Sequence, residues 1–348
     1  MRYYDIKIFY PQAQPEPEKP ERNIYKEYSS LRNGVFNPGN LMIEFDILKF
    51  GESTPQGQSH LTIWGISPQD MQQARQDMFG MEIEIYLGMS KGLPLANAGQ
   101  VKPGKSGLVL KGTIWQVYGN WQGTELRLDM IITTGPVSKT DPRPLAPINL
   151  TLPWNKGKKL SVALTQCFQT LGGYKYNINV SNRLVNSYNS PMFCGSLTEL
   201  ATKLNSLSRN IISDSNYSGV EIAMVNGNEI RVFDNDFDNH PDSRDKSTAS
   251  NRRKNPTQLE FTDLIGQPTW IQFQTISVPC MMRSDIQVGD YIRMPEKSRP
   301  VIQASSYSQF RNDSAFSGDF MVKSVRFIGN SRQPDADSWV TIIEANPI

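Results

Sequence analysis

The sequence GQPTWIQFQTISVPCMMRSDIQVGDYIRMP, residues 266–295, predicts strands joined by turns near the end of the chain. Apolar residues on both sides flank Gly289-Asp290, a dipeptide typical of a tight turn between strands. The pattern carries no reactive constellation of side chains. It is therefore typical of a structural building block rather than of an enzyme.

A second stretch, SGDFMVKSVRFIGNSRQPDADSWVTIIEA at residues 317–345, has a change of face within one predicted strand. Phe320 and Val322 begin on one face, whereas Val325 and Phe327 finish on the other. A strand of this kind packs on both sides or carries a bulge. The two stretches together predict a barrel-like β domain at residues 257–348.

Composition limits the class of protein. The chain has 348 residues, which predicts two or three domains, and its 36 basic and 34 acidic residues nearly cancel. A duplex-binding protein usually carries a clustered basic surface, and we interpret the one dense cluster, at residues 252–254, as a solvated loop. The 25 glycines and 23 prolines favour β structure with many turns.

Export and membrane insertion are not expected from the sequence. Cys167, Cys194 and Cys280 form no CxxC pair, and an odd number argues against a disulfide framework, so we expect buried reduced thiols in a cytosol. The N-terminus is too short and polar for a signal peptide. No window supplies the roughly 18 apolar residues of a membrane helix.

The order of patterns predicts a mainly β chain with an α+β insert. Residues 1–145 read as a β-barrel or sandwich with one short helix, residues 146–240 as a small α-β-α-β-β module, and residues 241–256 as a linker. The proline-rich arm at residues 11–22 is either a surface loop or an arm that lies on a neighbouring subunit.

Local sequence signals predict the positions of several helices and strands. Ser67 followed by Pro68 predicts one helix start, and the capping box Ser196–Glu199 predicts another. A hairpin is expected around Gly119–Gly123, and a short strand at Ile211–Ser213.

No side chain is predicted to be catalytic, to bind a cofactor or to ligate a metal. His60 and His240 are isolated in different blocks, and a metal site needs several converging ligands. The acidic run Asp234–Asp238 has the alternation of a calcium loop, but Asn239 replaces the usual glycine, so we favour a solvated acidic turn. Glu82 and Glu84 share one strand face and are interpreted as exposed strand residues rather than a glycosidase pair.

The arrangement of blocks resembles the central baseplate hub proteins of contractile-tailed phages and related injection systems. The resemblance rests on LTIWGISPQDMQQARQDMFGMEIEIYLG with the Gly112-Thr113-Ile114 strand, on the paired helices KKLSVALTQCFQTLGG and SLTELATKLNSLSRNIISDS, and on the two closing stretches. Phe327 stands where many relatives have histidine, which favours packing over polar chemistry at that position.

The resemblance implies two tube-like β-barrel domains separated by the small module, and a homo-oligomeric ring, usually a trimer. Such a ring joins the tail tube or tube-initiator protein to the central spike, contacts baseplate wedge proteins and surrounds the DNA-ejection channel. It implies a virion location after assembly in the host cytoplasm, with no cofactor, no membrane contact and no specific nucleic-acid binding. The alternatives are a distal-tail or tail-tip adaptor of a non-contractile phage and a tail-associated cell-wall hydrolase.

Overall fold

The computed structural model describes residues 1–10, 23–50, 58–89, 106–134, 148–171, 174–225, 229–241, 255–272, 275–295 and 317–348. Several predicted features lie outside these residues: the proline-rich arm at 11–22, most of the loop at 88–107, the boundary at 135–147, Gly172-Gly173 and the basic cluster at 252–254.

The described residues are mainly β structure. Strands in the first part of the chain are β1 Arg2–Phe9, β2 Ile24–Ser29, β3 Leu31–Arg32, β4 Val35–Phe36, β5 Met42–Phe50, β6 Gln58–Trp64, β7 Glu82–Met89, β8 Gly107–Gln122 and β9 Glu125–Thr133. Strands in the middle are β10 Ile148–Trp154, β11 Lys175–Asn179, β12 Ser190–Ser196, β13 Glu221–Val225 and β14 Glu229–Phe233. The closing strands are β15 Thr257–Gln258, β16 Thr269–Gln272, β17 Thr275–Met281, β18 Tyr291–Arg293, β19 Asp319–Asn330 and β20 Trp339–Pro347. The α-helices are α1 Pro68–Asp77, α2 Leu160–Gln169 and α3 Leu197–Ile212, with short 3-10 turns at Phe237–Asn239, Phe261–Asp263 and Ala336–Ser338.

One large, mainly antiparallel sheet draws on both ends of the chain. Its strand order is β16-β17-β20-β19-β5-β6-β9-β8-β7-β1-β2, and β18 and β15 branch from β19. The strands of the first part and the closing strands meet where β5 pairs with β19, a pairing we call the seam. Among the described strands no pairing joins β16 to β2, and the division into two barrels stays a prediction.

The closing strands follow the sequence pattern closely. The register of β19 against β20 shifts between Val322 and Ser324, which confirms the expected bulge, and side chains on both faces are buried. Gly289 has φ of +81°, a conformation that favours glycine, and the Asp290 amide donates to the Gln287 carbonyl at 3.1 Å. The predicted tight turn is therefore confirmed.

The large sheet buries one apolar face. Alternate residues of β1, β5, β7 and β9 point into a shared core, and Tyr10, just beyond the end of β1, is exposed. Phe45 and Trp339 meet edge to face across the seam, with ring centroids 5.1 Å apart. A Cβ added at Gly329 would lie 2.2 Å from the Phe45 ring, so the seam needs glycine there.

The middle of the chain forms its own small sheets. β10 pairs with β12, and β11-β14-β13 form a three-stranded sheet covered by α2 and α3. The predicted α-β-α-β-β order thus lacks β10 and β12, because the prolines in both strands hid their pattern. The strand expected at Ile211–Ser213 is wrong: α3 continues to Ile212, and Ser213 caps it in the left-handed region with φ of 50°.

Helix starts agree with their sequence signals. The Ser67 hydroxyl accepts a hydrogen bond from the Asp70 amide and the Ser196 hydroxyl from the Glu199 amide, as N-caps do.

The β8–β9 hairpin extends further than expected, and its turn is confined to Gly123 and Thr124.

β13 lies between the two cores. Ile222 and Met224 contribute to the core under the helices, whereas Ala223 and Val225 contribute to the core of the large sheet. All five residues of β13 are buried as a result. The middle segment is therefore packed directly on the large sheet, and the boundaries predicted at residues 145, 240 and 256 stay predictions.

Candidate functional site

A buried polar network follows β14. The Asp234 carboxylate accepts hydrogen bonds from the Ser181 amide and the Tyr217 hydroxyl, each at 2.9 Å, and lies 2.6 Å from His240 Nε2. Asp234 is fully buried, and the His240 side chain is nearly so. Burial raises the pKa of the Tyr217 hydroxyl, and the adjacent Asp234 carboxylate raises it further, so that hydroxyl stays a donor.

This network corrects one expectation. Asp234 is buried and does not belong to a solvated turn. Phe237 contacts Tyr291 at 5.6 Å between ring centroids and thereby attaches this segment to β18. The described residues contain no group of three or more His, Cys, Asp or Glu side chains arranged to hold a metal ion; Asp242 and Asp245 lie outside them.

The network contains the residue types of an acid–base site, but the side chains of His240 and Asp234 are buried and out of reach of a substrate. His240 is paired on both ring nitrogens, since Asn179 Nδ2 lies 2.8 Å from Nδ1. A general base must reach a proton on its substrate, and a buried, fully bonded imidazole does not. The arrangement fixes the polypeptide between β14 and the large sheet.

Charged side chains connect β13 and β14 to the large sheet, a contact we call the junction. Arg231 Nη1 donates to the Val288 carbonyl at 3.0 Å and to Asp290 Oδ1 at 3.1 Å. Lys323 Nζ lies 3.4 Å from Glu221 Oε1, and Lys49 Nζ donates to Gln287 Oε1 at 3.0 Å. The junction therefore joins residues that are far apart in sequence.

Lys49 is the most perturbed cation of the junction. Burial lowers the pKa of its ammonium group to about 7, and the positive charge of Arg231 contributes in the same direction, against the carboxylates of Glu229 and Asp290. Its Nζ also lies 5.9 Å from the ring centroid of Phe327. Phe327 itself is fully buried, which confirms its predicted packing role.

A second ionic cluster lies inside the closing strands. The buried Arg283 guanidinium donates to Asp263 at 3.2 Å and to both carboxylate oxygens of Asp285, at 2.8 and 2.7 Å. Its backbone amide donates to the Thr341 hydroxyl at 3.0 Å. Because its donors point at these two carboxylates, the Arg283 side chain does not face a ligand. Together with its backbone amide, it connects the end of β17 to the 3-10 turn at Phe261–Asp263 and to β20.

His60 lies in a surface groove of about 440 Å³ on the polar face of β5, β6 and β19. Carboxylates of Glu44, Asp46 and Asp337 line this groove. Arg326 engages Asp46 through Nε and Nη2, at 2.8 and 2.6 Å, and Glu44 Oε1 accepts a hydrogen bond from Asn330 Nδ2 at 2.7 Å. The Arg2 guanidinium donates to Ser338 Oγ at 2.8 Å at the edge of the groove, so three carboxylates stand against two guanidinium groups there. We call this feature the acidic groove.

Glu82 and Glu84 also lie on the polar face of the large sheet. Lys111 Nζ is 4.0 Å from Glu82 and 3.6 Å from Glu84. The two carboxylates therefore share a cation on a sheet surface, as expected of strand residues and unlike a pair facing a sugar cleft.

The middle segment carries a second exposed surface. On the outer face of β10 and β12, Thr151 stands opposite Phe193 and Pro153 opposite Pro191. The Phe193 side chain is 70% exposed, and the nearby Tyr188 is 75% exposed. The exposed lysines Lys156 and Lys158 lie in the turn after β10. We call this surface the aromatic ribbon.

The tip of the β8–β9 hairpin also carries an exposed aromatic residue. Trp121 is 78% exposed, and its indole N–H donates to the Gly123 carbonyl at 2.7 Å. The three cysteines are buried, as expected, and burial raises the pKa of the Cys167 thiol to about 11.

Sequence reasoning did not identify the junction or the acidic groove. Lys49 continues the inward-facing series Ile43, Phe45 and Ile47 of β5, and a lysine in that series could have signalled a buried cation. The partners that define the groove come from β5, β6 and a turn almost 300 residues later, and no local pattern joins them.

Comparisons with known proteins give a structural likeness only. No family model and no curated protein matches the chain. A crystal structure of the tail protein from Neisseria meningitidis MC58 covers 99% of this chain and 96% of its own, with 11% identity and a TM-score of 0.46. The 43 kDa tail protein of prophage MuSo2 from Shewanella oneidensis covers 100% of this chain and 97% of its own, with 7% identity and a TM-score of 0.48.

Both solved proteins are thus tail proteins, and at these TM-scores the function of this chain has to be argued from its own residues. None of the helices within the described residues has the length and apolar character needed to cross a membrane.

Proposed function

We propose that this chain is a structural subunit of a phage tail, and specifically a baseplate hub protein of a contractile tail. Its subunits form a closed ring, a trimer, which joins the tail tube to the central spike and surrounds the channel for DNA ejection. The virion baseplate is then its location, and tube, spike and wedge proteins are its partners.

The observation that carries the proposal is the single sheet built from both ends of the chain. Strands from residues 2–133 and from residues 257–347 stand side by side and meet at the seam. One subunit therefore supplies two neighbouring sectors of a β wall, and three subunits supply six. A ring of three such subunits agrees with the two tube-like domains per subunit that the resemblance to hub proteins implies.

The polar chemistry of the described residues supports a structural role. The Asp234–His240 network and the Arg283 cluster are buried and fully engaged in hydrogen bonds between elements. Exposed aromatic side chains, in contrast, are spread over several surfaces, among them Trp121, Tyr188 and Phe193. Exposed aromatic anchors of this kind are characteristic of protein–protein interfaces.

Electron microscopy of the purified full chain tests the proposal. We expect rings with three subunits that bind the tube and spike proteins of the same phage. A strict monomer at all concentrations, with no affinity for either partner, would contradict it. A ring of six subunits would instead favour the distal-tail adaptor, and cleavage of peptidoglycan in a zymogram would favour the hydrolase.

A further inference from the structure

The aromatic ribbon has one packed face and one exposed face. Leu150, Leu152, Trp154 and Cys194 point inward and are buried in the core under α2 and α3. Phe193 and Pro191 point outward and are exposed. A large apolar ring held on a rigid strand loses little conformational entropy on binding, which makes Phe193 a suitable interface anchor.

The ribbon is not suited to pairing with another strand. Pro153 and Pro191 stand opposite each other, and proline has no amide hydrogen to donate to a neighbouring strand. A partner must therefore contact its side chains rather than extend its backbone hydrogen bonds.

Positive charge lies at one end of the ribbon. Hydrogen bonds from the Lys156 amide to Asn189 Oδ1, at 2.9 Å, and from the Gly157 amide to the Asn186 carbonyl, at 2.8 Å, hold the lysine-bearing turn beside Tyr188. Lys203 Nζ donates to the Phe193 carbonyl at 3.1 Å but is also paired with Glu199 at 2.7 Å, so its charge is balanced locally. The ammonium groups of Lys156 and Lys158 therefore carry the positive charge of the ribbon.

The acidic groove on the same chain has complementary properties. Its carboxylates face solvent on the polar side of β5 and β6, and the half-buried Ile328 with Gly329 supplies an apolar part of the lining. Its volume of about 440 Å³ lies in the range of roughly 300–1,000 Å³ found for sites that enclose small molecules and side chains.

We propose that the aromatic ribbon of one subunit docks in the acidic groove of a second copy of this chain. The inference rests on the proposed ring and specifies its subunit contact. Two different surfaces of identical subunits make a head-to-tail contact, which gives a ring when the rotation between subunits closes. Opposite charges on the two surfaces fix the orientation and disfavour ribbon-to-ribbon or groove-to-groove pairing.

A second copy fits the ribbon better than a nucleic acid does. The ribbon carries few lysines around two aromatic rings, and the chain as a whole has a formal net charge of only +2. Phosphate binding needs concentrated basic charge, whereas a matching acidic surface is present on every copy of this chain.

Charge reversal with rescue tests the proposal on the full chain. Lys156→Glu with Lys158→Glu places negative charge against the groove, and we expect the dissociation constant of the ring to rise at least about tenfold. Adding Glu44→Lys and Asp337→Lys to the same chain restores opposite charges, and we expect most of the loss to be recovered. Thermal unfolding of each variant checks that it is folded.

Removal of the anchor gives an independent measurement. Phe193→Ala should weaken the ring by about thirtyfold, the scale of an interface hot spot near 2 kcal/mol. Phe261→Ala, at another half-exposed phenylalanine of the closing segment, is the matched control and should leave assembly unchanged.

The outcomes separate this contact from the proposed ring. A ring that tolerates both the lysine reversal and Phe193→Ala would overturn the docking proposal and leave the proposed hub function standing. A wild-type chain that stays monomeric would overturn both. Lysine-dependent binding of a labelled oligonucleotide, without any effect of the variants on assembly, would assign the ribbon to nucleic acid and overturn the proposal as well.

Discussion

The seam and the junction hold the molecule together by different means. At the seam, backbone hydrogen bonds pair seven residues of β19 with β5, and large apolar side chains close the contact underneath. At the junction, Arg231 of β14 and Glu221 of β13 reach the large sheet through charge pairs and a polar bond, and the buried Lys49 lies on the sheet side of this contact. The stability of the seam should therefore depend mainly on packing, whereas that of the junction should depend on charge and pH.

Phe327→Ala should have the largest effect, because it removes a fully buried ring next to the seam. We expect a loss of about 3–5 kcal/mol in the free energy of unfolding, the usual range for phenylalanine in a core. Chemical denaturation measures this loss. Ile328→Ala, at the half-buried neighbouring position, should cost clearly less; equal losses would show that the seam is not closed by Phe327.

Asp234→Ala should be the next most damaging change. It leaves the Tyr217 hydroxyl, the Ser181 amide and His240 without their common acceptor in a buried position. Leaving buried polar groups without a hydrogen-bond partner should lower the free energy of unfolding by about 3 kcal/mol. Denaturation of Asp238→Ala, at an exposed position of the same segment, gives the control, with an expected change within about 0.5 kcal/mol.

Lys49 should make stability depend on pH. Its pKa is lowered from 10.5 to about 7 in the folded protein, so between these values the unfolded chain binds a proton that the folded chain does not. The free energy of unfolding should therefore rise from pH 7 towards pH 10, by at most about 1.4 kcal/mol per pH unit. Below pH 7 both states are charged, and this contribution no longer changes.

Lys49→Met should remove that slope, and unfolding measured across this pH window decides the point. Lys175→Met, at an exposed position of β11, is the control for losing a lysine. An unchanged slope in Lys49→Met would mean that the junction does not hold a proton-sensitive cation.

The ion pair on the solvent side of the seam should matter least. Arg326 and Asp46 make a two-point contact, but both side chains are more than 40% exposed, and such pairs contribute about 0–1 kcal/mol. A double-mutant cycle with Arg326→Ala and Asp46→Ala measures the coupling. A coupling energy above about 2 kcal/mol would place the strength of the seam in its charges rather than in its core.

Local structure was largely predictable from the sequence. The bulge of β19, the turn at Gly289 and the caps at Ser67 and Ser196 follow from signals within a few residues. The error at Ile211–Ser213 has the same origin, because two adjacent β-branched residues favour a strand when the preceding helix is ignored. The prolines of β10 and β12 masked two real strands.

Long-range organisation was not predictable in this way. The seam pairs Asn330 with Glu44, and neither strand has a local sequence pattern that identifies the other as its partner. Asp234 looked solvated because its partners Ser181 and Tyr217 come from other elements. The acidic groove and the aromatic ribbon likewise exist only once strands distant in sequence have come together.

Native mass spectrometry of the full chain tests the central claim most directly. The account predicts a species of three subunits, each of 39.3 kDa, that dissociates when Lys156 and Lys158 are replaced by glutamate. A single-subunit mass at every concentration, in the wild-type chain, would contradict the claim that this protein is a ring-forming subunit of a phage tail.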